Sequence, residues 1–83
     1  MIINWTDKKE KSTEDWNGTI NKWGQAELRM SFETSPNYAQ VLIVVDKDES
    51  AIFSMNGKAS MTANEISRMA SAVAEAAREL RNA

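Results

Sequence analysis

Apolar and polar residues alternate from Ala26 to Glu33, with Ala26, Leu28, Met30 and Phe32 interleaved by Glu27, Arg29, Ser31 and Glu33. A period of two places one set on each face of a strand, so this stretch predicts a half-buried antiparallel strand with one wet face. Ser35-Pro36-Asn37 follows as a turn, because proline presets its own φ and asparagine tolerates the next position. From Tyr38 to Asp46 the pattern changes. Val41 to Val45 is apolar at every position and rich in β-branched residues, which predicts a central strand covered on both faces. Asp46-Lys47-Asp48-Glu49 then reads as a polar turn and Ala51 to Met55 as a further strand. Asn56-Gly57 has the chemistry of a type I′ turn, after which Lys58 to Met61 pairs back briefly.

The last third predicts a helix over residues 62–82. Thr62 and Glu65 have the spacing of a capping box, and Met61 and Ile66 flank it as a hydrophobic staple. Ile66, Met69, Ala70, Val73, Ala77 and Leu80 recur at three- and four-residue steps, giving one apolar stripe to lie on the sheet. The opposite face, with Arg68, Glu75, Arg78 and Glu79, is charge-balanced. Ala72 and Ala76 form a smooth flank beside Met69. Alanine there serves either as a good helix former on an exposed face or as a close-approach surface for another chain.

Residues 1–24 carry the weakest pattern and read as irregular or short-strand structure. Ile2 to Thr6 fits a short strand with Ile3 and Trp5 on one face, and residues 7–15 form a charged loop, extended or ending in a helical turn capped by Ser12 or Thr13. Asn17-Gly18 fits either a hairpin turn or a helix end, with irregular or strand structure preferred for the segment around it. Together these elements predict a single α+β domain over 1–83. An antiparallel meander of three to four strands over 25–61 precedes one C-terminal helix packed across one face.

With 83 residues, 42% of them apolar, the chain has material for one modest core. It contains no cysteine, so neither disulfides nor thiolate–zinc support is available. The N-terminus has no signal-peptide core, and the longest uninterrupted apolar run, Val41 to Val45, is too short to span a bilayer. A soluble, cytoplasmic protein without membrane association is the expectation. The net charge is −2 and no segment is basic: residues 1–24 hold four acids and four bases, 25–62 five and three, 63–83 three and three. Nothing here provides the electrostatic footprint of a nucleic-acid backbone.

Histidine is absent too, which removes the commonest general base and metal ligand along with the thiolate nucleophile. The chain has no phosphate-cradling glycine loop and no nucleophile elbow. Asp46, Asp48 and Glu49 form its one carboxylate cluster, without the alternation and glycine of a calcium loop. The expectation is therefore no enzyme, no cofactor and no metal.

Two features remain as candidates for contact. Trp5, Trp16 and Trp23 all fall in the first 23 residues, where they supply either core area or interface anchors, and the acidic turn at Asp46, Asp48 and Glu49 offers charge to a basic partner. These six residues are the candidate partner-binding set of a small non-enzymatic protein-binding module, an inhibitor or adaptor of a larger protein. The alternative is single-stranded nucleic-acid binding, with the tryptophans stacking on bases beside Lys8, Lys9, Lys11 and Lys22. Against it, Glu10, Glu14 and Asp15 offset those lysines. In size and layout the chain is similar to small acidic phage-encoded proteins that act against host defence, anti-CRISPR proteins among them, although it carries no family motif. Homodimerisation, through an edge strand or the alanine flank of the helix, is compatible with each reading.

Overall fold

A computed structural model describes residues 10–12, 16–34, 37–57 and 60–82. The chain forms an antiparallel sheet followed by a C-terminal helix, an α+β fold as the residue pattern predicts. Its strands are β1 (Glu10–Ser12), β2 (Asn17–Ile20), β3 (Ala26–Thr34), β4 (Asn37–Val45) and β5 (Ala51–Gly57), and the helix is α1 (Ala63–Asn82). They pair in sequence order, β1-β2-β3-β4-β5, so the meander reaches further into the N-terminal segment than the three to four strands expected. Part of the charged loop expected over residues 7–15 is β1, which pairs with β2. Residues 2–6, Ser35-Pro36 and Lys58-Ala59 lie outside the described residues.

The pleat sorts β3 as its alternation requires. Ala26, Leu28, Met30 and Phe32 are buried on one face, and their register partners Val45, Ile43, Val41 and Ala39 on β4 are buried with them. Leu42 and Val44 point the other way and are exposed and half-buried, so β4 is covered fully on one face only. Asn56 and Gly57 still belong to a strand, and Gly57 has a positive φ of 116°. They close β5, opposite Gln40 and Ala39. Asn17 and Gly18 likewise lie inside β2 rather than in a turn. Gly18 answers to packing: a Cβ there would sit 2.8 Å from both Leu28 Cδ2 and the Trp16 ring. Trp16 therefore lies over the β2 flank of the core in space that only glycine leaves open.

Helix α1 begins as its capping box dictates. Thr62 N–H donates to Glu65 Oε1 at 2.8 Å, and Glu65 N–H donates to Thr62 Oγ1 at 3.1 Å. Glu65 in the first turn and Arg81 in the last also complement the helix dipole. The face it buries is not the expected one. Met69, Val73 and Ala77 are buried, and Leu80 packs partly against the core. Ala72 and Ala76 join them, whereas Ile66 and Ala70 are exposed. At 100° per residue the buried face is turned by about 60° from the predicted stripe. The reason is size: alanines bring the helix backbone close to the sheet, and they contribute buried area where a larger residue would hold the helix away. The alanine flank is thus core and offers no surface to another chain. Glu79, expected on the outer face, is buried as well.

Candidate protein-contact surfaces

Register places Ala26, Val45 and Ala51 side by side, so the β2–β3 and β4–β5 turns emerge from the same end of the sheet. The two are built alike. Asn21 N–H donates to the Gln25 carbonyl at 2.9 Å and Gly24 N–H to the Asn21 carbonyl at 3.1 Å. In the second turn Asp46 N–H donates to the Ser50 carbonyl at 2.8 Å and Glu49 N–H to the Asp46 carbonyl at 3.0 Å. Each is a three-residue hairpin loop whose last residue is left-handed, Gly24 at φ 80° and Glu49 at φ 69°. Glycine takes that conformation freely; glutamate does so at a cost.

Side chains lock the pair of turns together. Asn21 Oδ1 accepts from the Trp23 and Gln25 N–H groups, both at 3.0 Å, in the manner of an Asx turn. Its amide nitrogen donates to Gln25 Oε1 at 3.0 Å and Glu27 Oε2 at 3.1 Å. Gln25 Nε2 crosses to the second turn and donates to Asp46 Oδ2 at 3.1 Å. There Asp48 Oδ1 accepts from Ser50 N–H at 3.0 Å, and Arg81 at the end of α1 donates to the Lys47 carbonyl. At the tip of the first turn Trp23 is 72% exposed, with Lys22 Nζ 4.6 Å from its ring centroid.

Of the six candidate contact residues, four therefore share this end: Trp23, Asp46, Asp48 and Glu49. Asp48 and Glu49 are exposed, and Asp46 is half-buried through its bond to Gln25. Trp16 does not belong with them, being only 2% exposed in the core. Trp5 lies outside the described residues. The sequence reading missed the framework residues Asn21 and Gln25. The spacing of Asn21 to Gly24 carries that signal, but the pattern leaves the whole stretch as irregular or strand structure.

A second surface was not anticipated. The outer edge of β5 has no strand beside it among the described residues, and its side chains are open. Phe53 and Met55 lie opposite the buried Ile43 and Val41, on the helix side of the sheet, yet are 50% and 43% exposed. On the other face, Ile52 is 68% exposed. Beside it Arg29, Gln40, Leu42, Ser54 and Asn56 line a depression of about 260 Å³, smaller than ordinary ligand pockets.

Among the described residues no helix is long and apolar enough to cross a membrane, and no group of three Asp or Glu side chains is arranged to hold a metal ion. Neither a family model, nor a curated protein, nor a solved structure matches this chain.

Proposed function

We propose that the protein is a non-enzymatic binding module that engages a larger protein, as an inhibitor or adaptor, through the paired-turn end of its sheet. One observation carries this reading: a tryptophan, 72% exposed, stands on a turn whose backbone is fixed by its own asparagine and tied to the neighbouring turn. Tryptophan is the side chain most enriched at interface hot spots, and a pre-ordered loop loses little entropy on binding. Asp48 and Glu49 beside it suit a partner that offers a pocket for an indole with basic groups at its rim. Lys22 and Lys47 at the same end keep the surface mixed in charge, so shape and the indole dominate over bulk electrostatics.

The test is affinity capture with wild-type protein and a Trp23→Ala variant as paired baits, with circular dichroism confirming that both are folded. A protein held by the wild type and lost from Trp23→Ala supports the reading; identical retention by both overturns it. Oligonucleotide-induced quenching at low salt that disappears in Trp23→Ala would assign this end to single-stranded nucleic acid instead.

A further inference from the structure

We infer that the open edge of β5 is a homodimer interface, in which two copies pair their β5 strands antiparallel about a two-fold axis at Ser54. Four observations lead there. First, the sheet's two edges differ. β1 has three residues, a length that limits edge pairing, whereas β5 has seven and contains no charged residue and no proline to repel another strand. Second, the apolar residues around it that are left exposed, Ile52, Phe53, Met55 and Ile66, gather on this flank. The position of Ile66 follows from the helix ends: Arg68 stacks over Phe32 on the β3 side, and Arg81 reaches Lys47 in the β4–β5 turn. Ile66, Ala70, Val73, Ala77 and Arg81 form one stripe on α1, which packs on β3 and β4, and Arg81 sets that stripe on the β5 side of the helix.

Third, the strand is complementary to itself. A two-fold normal to the sheet keeps each side chain on its own face, so paired positions must have the same parity and the axis must pass through a residue pair. With the axis at Ser54 all seven residues pair, from Ala51 opposite the second copy's Gly57 inward. Phe53 then meets Met55 of the other copy, twice by symmetry, as a cross-strand aromatic–thioether contact between the two helices. Ile52 meets Asn56, and Ser54 meets itself. Moving the axis to residue 53 or 55 leaves five pairs.

Fourth, the area is adequate: Ile52, Phe53, Met55 and Ile66 expose on the order of 400 Å² per copy. Doubled, and joined by the strand backbones, this reaches about the 1,000 Å² that specific interfaces require.

Sedimentation of the wild-type chain at micromolar concentration should show a species of twice the 9.3 kDa chain mass. Ser54→Lys sets two ammonium groups face to face on the axis and should weaken association by about tenfold or more. Ser54→Cys, in a chain without other cysteines, should form a covalent dimer on mild oxidation, because directly opposed Cβ atoms lie within reach of a disulfide. A control Ser71→Cys on the exposed face of α1 should not. Trp23→Ala should leave the dimer intact, which separates this result from the fate of the turn-end site. A wild-type monomer throughout the concentration range overturns the inference. So does a dimer that tolerates Ser54→Lys and fails to cross-link through Ser54→Cys.

Discussion

The sheet is wider than the helix that covers it, and its two flanks are finished differently. On the β2 side Trp16 closes the core, its ring set against Gly18 and Leu28. On the β5 side, Phe53 and Met55 carry the pleat outward from buried Ile43 and Val41 but have no such cover among the described residues. β2 offers one large apolar residue, Ile20, whereas β5 carries Ile52, Phe53 and Met55. The more apolar flank is the less covered one, so burial in this fold is decided by the position of the lid and not by strand composition.

Several substitutions test that contrast, the strongest first. Trp16→Ala removes the β2-side cover and should cost about 3–5 kcal/mol, enough to unfold much of a domain this small. Urea denaturation reads it directly, and a loss under 1 kcal/mol would mean that the indole is not a lid. Gly18→Ala pushes a methyl group against Leu28 and the Trp16 ring. The expected cost is about 1–3 kcal/mol, measured the same way. Phe53→Ala should cost the isolated monomer only about 1 kcal/mol, since half of the ring is already exposed. It should, however, abolish any rise of Tm with protein concentration, the thermal signature of a folded dimer. Last, Glu49→Gly relieves a left-handed glutamate and should stabilise the fold by about 1 kcal/mol, making the second turn match the first. If acidic charge matters to the partner, the same variant binds more weakly while melting higher.

Much of this architecture is legible in the residue pattern. The alternation from Ala26 to Phe32, the β-branched run from Val41 to Val45 and the Thr62–Glu65 box each declare an element, because local sterics and capping chemistry determine them. The rotation of α1 is not legible: alanine counts little in an apolar stripe, and its value here lies in the closeness it permits to a sheet the helix has yet to meet. Asn17-Gly18 has turn chemistry as well, but the demands of packing at Gly18 prevail over it, in line with the strand structure preferred for that segment. Gly57, at the end of β5, has a positive φ of 116°. Of the contact residues, the acidic turn could be read from its own composition. That it stands beside Trp23 depends on strand register, which ties residues 21–25 to 46–50 across the sheet.

Ile52, Phe53, Met55 and Ile66 were assigned to strand and helix by pattern, and all four remain exposed on the β5 side of the fold. The large apolar side chains on the helix face of β3 and β4 are buried, whereas this flank is left open for a second surface. Isotope-filtered NOE spectroscopy on a mixture of labelled and unlabelled chains tests this most directly. The expected result is an intermolecular cross-peak between the Phe53 ring and the Met55 methyl group of the other copy. A monomeric sample, or a dimer whose intermolecular cross-peaks arise elsewhere and never from Phe53, would contradict it.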